Sequence, residues 1–389
     1  MILAGACQGD SLGTGNNTNL NANANANTND PDGGPVVDAD LCGVDDDEKV
    51  VSAEPRIWNG TAEPEQCLSA GQQLAVGALN FESYGWTNGC TGTLIDSDTV
   101  LTAAHCVRRW DGSDISPGSV RFAVGRDALA PLHTFFVSSV YSHPDYNSGG
   151  DATHDMGLLN LAEPITAAGF PILPIPVNRT DLPASLIGQT VQNAGFGETE
   201  VSQDNSLLFW TVEDLTDIAP GWFEVWGGGT PNGSSVCYGD SGGPSFHLWN
   251  GRNLTLLGTV SWGDPSCMEN DYFARADDNL PWIEQHAGTL DPCVGIDTAG
   301  LCDGDVALWC DNGHLRQQCC GALGTTCDTD PAGNSRCGDT CGSITFEGEC
   351  QGNDAVWCDN GHLQRRRCVP CAQVCAWVDN VMGYYCVDP

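Results

Sequence analysis

The sequence predicts a mostly β chain: closed barrels or sandwiches over residues 57–290, then two small modules held by disulfides. Three observations predict it. A dozen short runs rich in Val, Leu, Thr and Phe alternate with Gly, Asp and Pro turns between 57 and 290. Cysteines crowd the end of the chain, with 14 of the 21 lying after residue 290. The same region repeats its own pattern in two halves.

The chain opens on "MILAGACQGD". This apolar run, ending in small residues before Cys7, resembles the end of a bacterial lipoprotein signal. That resemblance implies a lipid on Cys7 and a membrane anchor through it, so residues 1–7 are read as a truncated signal. Two departures stand out: Leu3 is one place further from the cysteine than in that signal, and no basic leader precedes it. Setting Cys7 aside leaves 20 cysteines, an even number. Residues 8–40, with "NANANANTND", lack apolar periodicity and read as a flexible tether. Residues 41–56 read as a propeptide containing Cys42 and a solvated acidic run.

The β pattern follows. "QQLAVGAL", "CTGTLI", "TVLTAA", "VRFAVG", "TFFVSSVYS" and "MGLLNL" precede "QTVQNAGFG", "LLFWTV", "FEVWG", "PSFHLW", "LTLLGTVSWG" and "DYFARA". So many short strands over this length predict closed barrels or sandwiches. "DDNLPWIEQHAG" predicts one closing helix, capped by an Asp ahead of Pro281 and stopped at Gly288.

Beyond 291 the modules run over 291–338 and 339–389. Cys293, Cys302, Cys310, Cys320, Cys327 and Cys337 align with Cys341, Cys350, Cys358, Cys368, Cys375 and Cys386. Modules of this size bury too little apolar surface to fold alone, so three bridges in each are expected. Cys319 and Cys371 are left over, one per module, and are expected to join the two. The spacings lack histidines at zinc-ligand distance, so no metal is expected. "WCDNGHL" recurs, with Trp309, Trp357, His314 and His362. Its aromatics read as each module's small core, with a glycan or cell-surface ligand as the competing reading.

Charge narrows the functions further. With 51 acidic against 14 basic side chains the formal net charge is -37, which repels phosphate backbones and anionic headgroups. Nucleic acid is therefore not an expected partner. The cysteine density predicts an oxidising compartment, hence a secreted or surface location. No apolar run of 18 residues or more is present.

Three stretches carry chemistry. "LTAAHC" delivers His105 at a strand end beside Cys106, "HDMGLLNL" places Asp155 ahead of a strand, and "VCYGDSGGPS" sets Ser241 among glycines. A serine hydroxyl is a poor nucleophile until a base takes its proton; a histidine suits that role, and a buried carboxylate fixes the histidine's tautomer. The order and spacing of these motifs resemble the trypsin/chymotrypsin family of serine proteases over residues 57–290. The resemblance implies a double six-stranded antiparallel β-barrel with a C-terminal helix, no cofactor, and peptide or protein substrates for a monomeric enzyme. It implies His105 as base, Asp155 as orienter and Ser241 as nucleophile, with the amides of Gly239 and Ser241 as oxyanion hole. It also implies the bridges Cys90–Cys106 and Cys237–Cys267, and a substrate-pairing segment at Ser261, Trp262 and Gly263. One bridge of the family's second barrel has no counterpart, since no cysteine lies between 106 and 237.

The same resemblance turns "EPRIWNG" into an activation site. A cut at Arg56–Ile57 would free an α-amino group to insert and pair with Asp240. Trp58 and Asn59 depart from the family's pattern there. Cys42 pairing with Cys67 would keep the propeptide attached. For the specificity pocket the alignment leaves two readings. Ser235 at its base implies aromatic or aliphatic side chains, whereas Asp271, if it points inward, implies Arg or Lys. The alternative to an enzyme is a catalytically inert adhesion or binding protein on a protease scaffold, with the repeats as its functional part.

Overall fold

The computed structural model describes residues 60–387 except 148–151, 200, 201, 203, 228–232, 324, 331, 339–343, 353, 360, 361, 369–373 and 380–382, together with residues 37 and 38. Cys7, Cys42, Arg56, Ile57, Trp58 and Cys371 lie outside the described residues. The chain divides into two compact units. One holds 49–320 and 326–337; the other holds 321–325 and 338–389 with the leader.

In the first unit two six-stranded antiparallel barrels close on themselves. The first is built from β1 (Val76–Phe81), β2 (Thr87–Leu94), β3 (Thr99–Thr102), β4 (Val120–Val124), β5 (His133–Ser142) and β6 (Gly157–Leu161), paired around the ring as β1-β2-β3-β6-β5-β4. Inward side chains such as Leu79, Leu94, Phe122 and Phe135 are fully buried and fill it. Closure removes the unpaired edges that short strands would otherwise expose.

The second barrel uses β7 (Thr190–Gly195), β8 (Phe209–Ala219), β9 (Trp222–Trp226), β10 (Pro244–Trp249), β11 (Asn253–Gly263) and β12 (Asn270–Arg275), paired as β9-β12-β11-β10-β7-β8. Val191, Leu215 and the stacked rings of Phe223 and Phe273, centroids 5.1 Å apart, form its core. Fully burying each such side chain is worth about 1.5–3 kcal/mol.

Besides the short helices α1 (Ala70–Gln73) and α2 (Ala104–Val107), α3 (Leu280–Ala287) closes the barrel region. Its N-cap is Asn279 rather than the expected aspartate. Asp277 and Asp278 are instead drawn to the Arg275 guanidinium. Gly288 ends the helix at φ +82°, a conformation that costs glycine little.

The first cysteine-rich module is part of this same unit. Its strands β13 (Leu301–Asp303), β14 (Val306–Asp311) and β15 (His314–Cys319) form one sheet, and β16 (Cys327–Thr329) pairs with β17 (Ser335–Cys337). Bridges Cys293–Cys310, Cys302–Cys327 and Cys320–Cys337 hold it together. The structure bonds Cys67 to Cys319, which replaces both the expected Cys319–Cys371 join and the expected Cys42–Cys67 pair. The pairing has a physical reason. Cys67 packs with Leu173 against Ile296, Val306, Leu308 and Leu315 of the module, and the buried Gln72 side chain donates to Gln317 Oε1 at 2.8 Å. Gly71 N donates to Asp303 Oδ2 at 2.5 Å. A bridge spanning 252 residues restricts a long loop of the unfolded chain, worth typically about 2–4 kcal/mol.

The second unit carries β18 (Glu349–Gln351), β19 (Asp354–Asp359), β20 (His362–Arg367) and the hairpin β21 (Val374–Asp379)–β22 (Gly383–Val387). Its bridges Cys350–Cys375 and Cys368–Cys386 fall at the positions aligned with Cys302–Cys327 and Cys320–Cys337. Val37–Asp38, inside the stretch read as a tether, pairs in parallel with Gln364–Arg365 of β20. This corrects the tether reading locally: Val36–Val37 is the one β-branched pair in that polar leader. In the aromatic motif, Trp309 lies under the Arg336 guanidinium, 4.5 Å from its ring centroid, and Trp357 packs on Tyr385 at 5.6 Å.

Candidate active site

Strand β3 ends at Thr102, and the chain turns at once into α2, which holds His105 at the mouth between the barrels. The Cys90–Cys106 bridge ties this turn to β2. Asp155 lies just before β6, whose strand pairs with β3, so barrel register brings the two residues together. His105 Nδ1 is 2.7 Å from Asp155 Oδ2, and the His105 backbone N–H donates to Asp155 Oδ1 at 2.9 Å. The Ser261 hydroxyl also donates to Asp155 Oδ2, at 2.6 Å. Asp155 is only 2% exposed. A carboxylate with donors on both oxygens is fixed in place, and it in turn fixes the tautomer and plane of the imidazole.

Ser261, expected with Trp262 and Gly263 to pair with substrate backbone, turns its hydroxyl to Asp155, and its backbone continues β11 beside the pocket. The loop before Asp155 has an anchor the sequence did not reveal. Asn279, at the start of α3, accepts at Oδ1 from His154 Nδ1 at 2.9 Å and donates from Nδ2 to Thr153 O at 3.1 Å. His143 stacks on His154, and burial holds its imidazole down at about 4, so this ring stays neutral near pH 7.

Ser241 sits on the loop leading into β10. Its carbonyl accepts from Thr91 N at 2.8 Å, and Gly242 N donates to Val260 O at 2.8 Å, pinning the loop against both barrels. Gly239 adopts φ +101°, which aims this backbone in a way other residues resist. Ser241, Gly239 and His105 line one cleft of about 740 Å³, which continues past Tyr84, Arg108 and Trp110. Arg108 shapes that cleft by donating to the carbonyls of His143 and Tyr146.

Asp240 points the other way, into the interior, and is fully buried. Cys237 N and Gly197 N each donate to it at 2.8 Å. Glycine at 195 and 197 is required there: a Cβ would stand 2.1 Å from Asp240 Oδ1 and 2.7 Å from the same carboxyl, respectively. Burial pushes the Asp240 carboxyl up to about 7 despite these donors. No cation is paired with it among the described residues.

A second, smaller cavity of about 190 Å³ opens beside Ser241. Trp262 and Gly263 line it, and Cys237–Cys267 braces it. Trp262 stacks on Tyr272 with centroids 3.9 Å apart. The two rival specificity residues meet at its floor: Ser235 Oγ donates to Asp271 Oδ2 at 2.5 Å, and both side chains are 1% exposed. Asp271 faces inward, not into solvent. Beneath it lies Glu213 of β8, fully buried and close enough to Asp271 for each carboxyl to act on the other. Glu213 was missed in the sequence, although a signal was there. It occupies an inward position in phase with Leu215 and Thr211, where an apolar side chain is expected.

Comparison with known proteins agrees with this architecture. The family model described as Trypsin matches residues 68–283. Phenoloxidase-activating factor 3 of Holotrichia diomphalia is 29% identical over 63% of this chain and 74% of its own length. Serine proteinase stubble of Drosophila melanogaster is 27% identical over 55% of this chain but only 29% of that protein. Trypsin 5G1 of Aedes aegypti is 26% identical over 54% of this chain and 79% of its own. With more than half of its length inside the family match and both barrels in place, the chain belongs to the trypsin family of serine proteases.

Proposed function

We propose that the protein is a secreted or surface-tethered serine endopeptidase, made as a zymogen and activated by cleavage at Arg56–Ile57. The observation that carries this reading is the hydrogen-bonded His105–Asp155 pair, with Ser261 as a third partner, opening on the cleft that Ser241 also lines. The rival reading, an inert binding scaffold, is favoured by loss of a triad side chain, and the sequence keeps His105, Asp155 and Ser241.

In the reaction Ser241 Oγ attacks the carbonyl carbon of the scissile bond while His105 Nε2 takes the hydroxyl proton. Asp155 remains ionised and stabilises the imidazolium. The developing oxyanion lies toward the amides of Gly239 and Ser241, donors typically worth about 3–4 kcal/mol each. Collapse of the tetrahedral intermediate expels the amine, which leaves with the proton from His105. Water then hydrolyses the acyl-enzyme by the same steps in reverse roles.

Activation supplies the missing cation. An isolated buried carboxylate is costly, so the uncut chain holds Asp240 close to neutral, and the ammonium of a freed Ile57 would complete it. With Asp271 on its floor the pocket is read as taking Arg or Lys. The enzyme is then able to cut its own Arg56. The disulfide bridges among the described residues suit an extracellular enzyme acting on proteins or peptides. A lipid on Cys7 would tether it, and the second module is read as a contact to a surface or glycan.

The test is a fluorophosphonate probe applied to full-length protein before and after cutting at Arg56, with peptide mapping of the adduct. The reading expects a single adduct on Ser241 in cut protein. Cut protein that stays unlabelled defeats it.

A further inference from the structure

The pocket floor has a feature that the triad does not need. Asp271 Oδ2 is taken by Ser235, and Glu213 Oε1 accepts from Val236 N at 3.2 Å. One oxygen of each carboxyl, Asp271 Oδ1 and Glu213 Oε2, then has no N–H or hydroxyl donor. The two carboxyls are both buried, are held by the neighbouring residues Ser235 and Val236, and act on each other. Two buried carboxyls that share a site without a cation do not both ionise, so one proton stays with the pair.

We propose that Glu213 is a specificity-determining residue: it shares one proton with Asp271, and the charge of this pair decides whether the pocket takes a basic or an apolar side chain. The proposal rests on the protease reading and names the substrate class of the same site.

The surroundings favour a shared proton. On β12 Asp271 pairs with Val225 of β9 and Gly263 of β11. A Cβ on Gly263 would come within 1.9 Å of Asp271 Oδ1, so glycine there lets the carboxyl reach the cavity wall. From β8 comes Glu213, from the loop before Ser241 comes Asp240, and from β7 the side chain of Asn193 faces Glu213. Asp264 lines the cavity and is partly exposed. The Glu224 side chain of β9 instead meets Thr216 and Asn270. No Lys or Arg is paired with either floor carboxyl among the described residues. The titratable groups that face the pair are therefore acidic, and each resists a second negative charge on it.

Burial first, then the neighbouring carboxyl, pushes Glu213 well above the usual carboxylate range, so Glu213 is the proton holder and donor. Burial raises Asp271 to about 7, and the donors Ser235 and Glu213 limit the rise. Above that pH the pair carries one negative charge on Asp271, beneath an entering side chain. Below it the floor is neutral and an ammonium or guanidinium has no partner. The proton is exchanged with solvent, and no bond to carbon changes.

The experiment uses full-length protein cut at Arg56 and a pair of peptides differing only in Arg or Phe before the scissile bond. The ratio of their kcat/KM values cancels pH effects that act on both peptides alike. In the wild type the Arg/Phe ratio is expected to rise at least tenfold from pH 5.5 to 8.5, with a midpoint near 7. Asp271→Asn makes the ratio flat. Glu213→Leu removes a donor to Asp271 and moves the midpoint upward. Glu213→Gln keeps an N–H donor and returns the midpoint toward the wild-type value, which a purely structural role would not predict. A flat wild-type ratio, or a midpoint unmoved in Glu213→Leu, overturns the proposal. Binding of benzamidine, a cationic probe, is titrated over the same pH range and separates the two readings without turnover. If no peptide is cleaved but binding tightens with pH and Asp271→Asn abolishes it, the floor pair stands and the protease reading falls. Binding independent of pH removes the floor pair.

Discussion

Asp155 and Asp271 are two buried carboxyls at the ends of one active-site region, and their partners differ. Asp155 receives a backbone N–H, the His105 ring and the Ser261 hydroxyl, so both oxygens are occupied by donors. Asp271 receives one hydroxyl on one oxygen, has no donor on the other, and lies beside a second carboxyl. On the proposed reading the first serves the triad and the second gains or loses a charge. Burial alone therefore does not fix what a carboxyl does; the donors around it do.

The comparison can be broken most directly at Asp155. Asp155→Asn removes the acceptor that orients His105, and kcat is expected to fall about 10⁴-fold for both Arg and Phe peptides. A loss confined to one peptide would show that Asp155 belongs to specificity instead. Ser261→Ala takes away a single hydrogen bond to the same carboxylate. Bonds to charged groups are worth about 1.5–3 kcal/mol, so kcat should drop roughly ten- to a hundredfold with KM little changed. Steady-state kinetics at pH 8 separates the two parameters.

Ser235→Ala sharpens the contrast on the other side. It removes the donor to Asp271 Oδ2, which makes the charged form harder to reach. The Arg/Phe ratio at neutral pH is expected to fall about tenfold, and the fall should shrink as pH rises. An equal fall in both peptides would place Ser235 with the triad.

The last effect is on stability. In the folded protein the Asp240 carboxyl is raised to about 7 from an ordinary carboxylate value. A raised carboxyl contributes stability that is fully present below the unfolded value and is lost as pH rises through the folded one. For a carboxyl lifted this far the loss amounts to about 4 kcal/mol at most. In cut protein the Ile57 ammonium would return Asp240 to its ionised range and recover part of that loss. Between pH 4.5 and 8, Tm should therefore fall further in uncut than in cut protein. Identical curves by calorimetry would mean that the new terminus does not reach Asp240.

Much of this was legible in the sequence. The motifs around His105, Asp155 and Ser241 are local: each packs its chemistry into a few consecutive residues, so single-chain reading finds them. The barrels were legible because short alternating runs and turn residues recur. The pocket floor was not, because Ser235, Asp271 and Glu213 come from separate elements, and only barrel closure brings them together. Asp271 looked like a choice against Ser235, whereas the fold hydrogen-bonds the two. The bridge from Cys67 to Cys319 was hidden for the same reason, with 252 residues between its ends. Counting cysteines by repeat left Cys319 spare, and only packing of the first module on Gln72 and Leu173 shows where it goes. The Asn279 cap was mistaken for an aspartate because Arg275, further back in the chain, claims both acids.

The most direct measurement is peptide-bond cleavage itself. Full-length protein, cut or uncut at Arg56–Ile57, is incubated with a peptide library, and products are identified by mass spectrometry alongside N-terminal sequencing of the protein. Cleavage by the cut protein alone, abolished by Ser241→Ala, is the predicted result. Intact peptides after incubation with cut protein, or equal cleavage by uncut protein, would contradict it.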